Sequence, residues 1–266
     1  MRKVVLAILV SGILVGCLEE DSKENSSDVL GKATTSQIAS LVKETNLHGS
    51  YVYLTDSETY SPFNQVGIVR FDTTAQIPLY YVSADGSLPP EKIVKAYQQL
   101  EARLGDIFTD FIPVMADLTV YRDPLYTNEN RGNDTFNASE FNAIHSISTG
   151  LIVAEGTAFY SSEYSSNPQN MCGNASIAPY SGSLSISINP STSLYASDTV
   201  LWLNMGNGQC SWDYQMVMHE TAHNLGMFNH VDGYFGLWSE TAMNMLATLY
   251  HNAGGSNYSD LVIDYQ

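Results

Sequence analysis

From Ile77 onward, short apolar runs alternate with polar and amphipathic stretches, and their order predicts an architecture. IPLYYVS (77–83) reads as a strand. Pro89-Pro90 then opens a helix on which Ile93, Ala96, Tyr97, Leu100, Leu104, Ile107 and Phe108 recur at helical spacing along one face. FIPVMADLTVY (111–121) predicts a second strand and GLIVAEGTAFY (150–160) a third, with a short helix near Ser139 to Ile147 between them. SGSLSISIN (181–189) puts Leu184, Ile186 and Ile188 on one side and serines on the other, as a strand with one face in water does. TVLWLNM (199–205) is nearly continuous in apolar residues and predicts a buried central strand. A last helix follows between Ser211 and Leu225, so the order describes a mixed α/β sheet in one domain.

The chain before Ile77 reads differently. From Ser50 to about Asp72, SYVYLTD and QVGIVRFD alternate around a Ser/Pro/Asn turn region, which predicts a strand pair. Residues 18–36 (LEEDSKENSSDVLGKATTS) are acidic and carry few large apolar groups to bury, so they read as a disordered tether starting at Cys17. Residues 1–16 begin with Arg2 and Lys3 and continue as an uncharged apolar run from Val4 to Val15, too short to span a bilayer, which is the pattern of a signal peptide. The run ends in Leu14-Val15-Gly16-Cys17, which resembles the lipobox of bacterial lipoproteins. That resemblance implies export, lipidation of Cys17 and cleavage before it. Leu18 in place of Asp then implies outer-membrane anchoring. The expected organisation is a signal peptide over 1–16, a tether over 17–36 and one domain over 37–266, with 37–75 as its strand-pair extension.

Acidic residues outnumber basic ones 28 to 11, giving a net charge of −17, so the surface field repels phosphate backbones and no nucleic-acid partner is expected. With Cys17 lipidated, Cys172 and Cys210 remain as an even pair in an exported, oxidising setting, and a disulfide between them is expected. In the chain-entropy picture such a bridge contributes about 3 to 4 kcal/mol. A monomer is expected.

The helix between Ser211 and Leu225 carries the chemistry. Ser211 can cap it, Asp213 suits its N-terminal dipole, and Tyr214, Val217, Met218, Thr221 and Leu225 form an apolar face. His219 and His223 are four apart, so their imidazoles stand one turn apart on one side and can share a metal ion. Glu220 is offset around the helix, where its carboxylate can take a proton from water activated by that ion. Gly226 then ends the helix in a left-handed turn that brings the following residues back towards the site.

The run H219-E-T-A-H-N-L-G226-M-F-N-H230 resembles the metzincin clan of zinc endopeptidases, and HNLG is especially similar to the adamalysin or reprolysin branch. The resemblance implies a zincin-like α/β (α+β) fold. In it a mixed, mostly parallel five-stranded twisted sheet packs on two long helices, and the active-site helix follows the last strand. It also implies one catalytic Zn2+, held by His219, His223 and a third ligand. The family pattern HExxHxxGxxH places that ligand at Asn229, whereas the next imidazole, His230, comes one residue later. His230 is taken as the ligand because imidazole binds zinc and a neutral amide does so poorly, with Asn229 or a two-histidine site as the alternatives and Asp232 read first as a loop acid. The family's methionine turn beneath the metal falls at Thr241–Met245, with Met243 as its methionine. The resemblance further makes 181–189 the edge strand along which an extended peptide lies.

The expected function is therefore a zinc endopeptidase with Glu220 as general base, acting on extracellular or envelope protein. Two rivals remain open: a noncatalytic, zinc-containing surface-binding lipoprotein, and a zinc hydrolase acting on a nonpeptide bond.

Overall fold

Two-residue periodicity in the strands decides how the layers are made. The computed structural model describes residues 33–46, 67–121, 136–159, 172–206, 211–236 and 238–266. In chain order the elements are α1 (Thr35–Asn46), β1 (Ile77–Ser83), α2 (Glu91–Leu104), β2 (Phe108–Met115), α3 (Ala138–Ile144), β3 (Gly150–Glu155), β4 (Gly173–Ser176), β5 (Ile188–Asn189), β6 (Leu194–Tyr195), β7 (Val200–Met205), α4 (Tyr214–Asn224) and α5 (Glu240–His251). Five strands form one sheet in the order β2-β1-β3-β7-β4. All its neighbours run parallel except β4, which pairs antiparallel with β7 at the edge.

Leu79, Tyr81, Leu151, Val153, Leu201 and Leu203 point to one face, where they join Ile93, Ala96 and Leu100 of α2 and Val217, Met218 and Ala222 of α4 in the main core. The alternate residues Tyr80, Val82, Ile152, Ala154 and Trp202 point the other way, onto Phe141 of α3 and Ile147. Phe136 and Phe141 sit 5.5 and 5.4 Å from the Trp202 ring, and each such aromatic pair adds about 0.5 to 1.5 kcal/mol beyond its buried area. Burial on both faces explains why β7 reads as an unbroken apolar run. The domain is thus an α/β fold on a mostly parallel mixed sheet.

Several elements differ from the sequence expectation for local reasons. The helix opened by Pro89-Pro90 stops at Leu104, because Gly105 adopts φ +84, so Ile107 and Phe108 are not on its face. Phe108 instead reaches the core as the first residue of β2. The end of the second predicted strand, Leu118–Tyr121, is a 3-10 turn that starts where the Asp117 side chain accepts from the Thr119 backbone N–H. In 181–189 the alternation is right, since Leu184, Ile186 and Ile188 are all buried. Only Ile188–Asn189 pairs as strand, however, and it does so with β6 in a separate two-stranded ribbon. The antiparallel edge of the main sheet is β4.

Helix α1 falls where the sequence suggested only the end of a tether and the start of a strand pair. Ile38 and Val42, one turn apart, bury completely, and α1 packs on α5. Of the expected strand pair, SYVYLTD lies outside the described residues. In QVGIVRFD, Gly67 and Arg70 form isolated bridges to Asn257 and Leu194 rather than a strand. The signal peptide, Cys17 and most of the tether also lie outside the described residues. Among the described residues no helix is long and apolar enough to cross a membrane.

Candidate metal centre

Helix α4 begins at Tyr214, not Ser211. The Asp213 carboxylate accepts from the N–H groups of Gln215 and Met216 at 2.9 and 3.2 Å, which makes it the cap as well as the dipole partner. From Val217 to Ala222 every residue is buried, so this is a core helix rather than an amphipathic surface one. Asn224 ties its end to the sheet by donating to the Trp202 carbonyl at 3.1 Å. Gly226, at φ +111, makes the turn that the sequence predicted. A Cβ there would lie 2.7 Å from the Val69 carbonyl oxygen, so both conformation and space demand glycine.

The turn returns the chain to the face of α4 that carries its two histidines. His230 Nε2 stands 2.9 Å from His219 Nε2 and 3.2 Å from His223 Nε2. The three imidazoles form a potential metal-binding group, and among the described residues that group has three members. Two nitrogens bound tetrahedrally to one zinc at its usual bond length are about 3.3 Å apart, close to the separations seen here. The His223 Nδ1–H donates to the Met227 carbonyl at 2.7 Å, which leaves the Nε2 lone pair of a neutral ring aimed into the cluster. The Asn229 side chain bonds to α1, its amide Nδ2 donating to the Glu44 carbonyl at 3.0 Å, and Asp232 is exposed and outside the group.

Burial and mutual proximity keep the imidazoles neutral. Burial, reinforced by the nearby His230, pushes His219 down to about 3. His223 is held well below its ordinary value by burial and by both other rings, and His230 is lowered by burial. Neutral imidazole is the form that binds metal. The same shifts set an acid limit on the metal-free fold. Between about pH 6.5 and 3 the unfolded chain takes up a proton at His219 that the folded chain refuses, so stability rises with pH across that window and is lost as pH falls through it. Each imidazole kept neutral contributes a slope of about 1.4 kcal/mol per pH unit. Urea unfolding of metal-free protein at pH 7.5, 6 and 5 should show a midpoint that falls below pH 6.5; a flat midpoint would contradict the burial of these rings.

A tyrosine that the sequence did not single out completes the floor. Tyr234 is fully buried, its ring centroid 4.5, 5.1 and 5.6 Å from those of His219, His223 and His230. Its hydroxyl donates to the His219 carbonyl at 2.8 Å, and Trp238 packs edge-on behind it. The signal available was its place four residues after His230, beyond the Gly233 turn. Thr241–Met245, the expected methionine turn, forms the first turns of α5, where the Ser239 side chain accepts from the Ala242 N–H, and Met243 is half-buried against the core.

Glu220 is 2% exposed and packs against the start of the edge strand: a Cβ on Gly173 would come within 2.9 Å of Glu220 Cγ. The carboxylate-bearing chain is therefore held between α4 and the first residue of β4. Comparison with protein-family models, with curated proteins and with solved structures finds no match. Cys172, immediately before β4, is disulfide-bonded, and its Sγ lies 3.4 Å from the carbonyl oxygen of Ser211. Cys210, its expected partner, lies outside the described residues.

Proposed function

We propose that this protein is a zinc-dependent endopeptidase of metzincin-like, zincin-type architecture, exported and lipid-anchored at Cys17, acting on extracellular or envelope protein. The observation that carries the reading is the convergence of three neutral imidazoles, with His230 Nε2 2.9 and 3.2 Å from those of His219 and His223 and Glu220 one residue after the first of them. An all-imidazole donor set suits zinc. A site closed for structure alone would want a fourth protein ligand, and among the described residues the group has three. The disulfide at Cys172 favours an oxidising compartment, as export requires.

His219, His223 and His230 would hold the ion through Nε2. When bound, zinc supplies Lewis-acid polarisation of a carbonyl and makes water a usable nucleophile near neutral pH. Glu220 takes the proton of the attacking water on its carboxylate and passes it to the departing amine nitrogen. Tyr234 and Trp238 exclude water from beneath the rings. An extended peptide would add at β4, the antiparallel edge of the sheet, whose first residue, Gly173, packs against Glu220.

Purified protein should bind one zinc per chain and cleave an unfolded protein, with cleavage abolished by a chelator and restored by zinc. Tight zinc binding without hydrolysis across a peptide library would select the noncatalytic surface-binding lipoprotein instead.

A further inference from the structure

The third imidazole stands one residue later than the metzincin spacing, and the structure shows what the extra residue does. Asn229 is bound to the last turn of α1 through three of its groups. Its N–H donates to the Thr45 carbonyl at 3.1 Å, its carbonyl accepts from Thr45 Oγ1 at 2.7 Å, and its amide Nδ2 donates to the Glu44 carbonyl at 3.0 Å. Asn46 grips the other end of the same loop, donating to the Gly226 carbonyl at 2.7 Å. It also donates to the Val69 carbonyl and accepts from Val69 N–H and the Tyr258 hydroxyl, so both amide hydrogens and both lone pairs are used. Thr45 and Asn46 are fully buried.

The loop 226–230 is thus held at both ends by one helical turn from the far end of the chain. We propose that α1 is a built-in part of the metal centre: Thr45 and Asn46 are positioning residues that fix the loop presenting His230 and so set the affinity for the ion. This rests on the reading that the three histidines bind metal. Residues 226–230 form no strand or helix, and although Thr45 and Asn46 bond to Asn229 and Gly226 rather than to His230 itself, loosening that loop leaves a third donor that must be reordered when the ion binds. Coupling is reciprocal, so metal must in turn hold α1 against the domain.

Zinc affinity is to be measured by competition with a chromophoric chelator for the full chain and for Asn46→Ala, Thr45→Val and Thr45→Ser, with circular dichroism reporting the fold. His219→Ala serves as the control for the centre itself. Amide hydrogen exchange in α1 is followed in wild type with and without zinc. Asn46→Ala and Thr45→Val should weaken zinc by roughly 5- to 100-fold, the cost of leaving buried groups of the loop without their partners. Thr45→Ser, which keeps the hydroxyl, should stay near wild type, and zinc should slow exchange in α1. Folded Asn46→Ala and Thr45→Val proteins with wild-type affinity would overturn the inference while leaving the metal reading intact. If those variants do not fold, unchanged α1 exchange on adding zinc to wild type overturns it. A wild type that binds no zinc removes both readings together.

Discussion

Glu220→Gln should keep its zinc and lose hydrolysis by a factor of about 10² to 10⁴. Gln matches Glu in length and volume, so it fits the same gap against Gly173 without moving α4. It also leaves all three imidazole donors in place, so metal content should not change. What disappears is the proton acceptor. Zinc stoichiometry and kcat/KM on an unfolded protein, measured on the same preparation, separate the possibilities. Activity retained by the variant would place the base elsewhere; loss of zinc would mean that Glu220 acts as a ligand or as a packing residue. Intact metal with lost cleavage is the only outcome that supports the proposed role.

His230→Ala and Asn229→Ala should diverge sharply. Zinc held by a folded protein site is worth about 10 to 16 kcal/mol in all, so removing one of its donors costs about 3 kcal/mol, a hundredfold or more in affinity. His230→Ala carries that cost. Asn229→Ala deletes one partly exposed hydrogen bond to Glu44 and keeps both backbone bonds to Thr45, so its effect should be small by comparison. Equal losses in the two variants would sink the assignment of the third donor. The comparison also tests why the spacing is long, since Asn229 faces α1 while His230 faces the other histidines.

The parts of this molecule that were legible in the sequence share one property: they are set by local periodicity. Leu79, Tyr81, Leu151, Val153, Leu201 and Leu203 alternate with Tyr80, Ile152 and Trp202 because a strand puts neighbours on opposite faces, and no tertiary information is needed to see it. His219 and His223 stand together for the equally local reason that four residues make about one helical turn. The parts that were not legible depend on what comes from elsewhere. Ser181 to Ser187 has strand-like alternation, yet which backbone lies beside β7 is decided by long-range packing, and β4 holds that place. Thr241–Met245 is helix because Ser239 caps it and its residues suit one, against the turn that a family likeness implied. Helix α1 had a readable signal in Ile38, Leu41, Val42 and Thr45. Its polar neighbours and the acidic stretch before it hid that signal.

Asn46 and Gly226 are separated by 180 positions along the chain. A polypeptide made from its N-terminus produces the gripping helix well before the loop it grips. Until both exist, His219 and His223 can be adjacent on their helix while the third imidazole has nothing to hold it in place. A growing chain therefore cannot bring the three imidazoles together until the loop that Asn46 holds has been made.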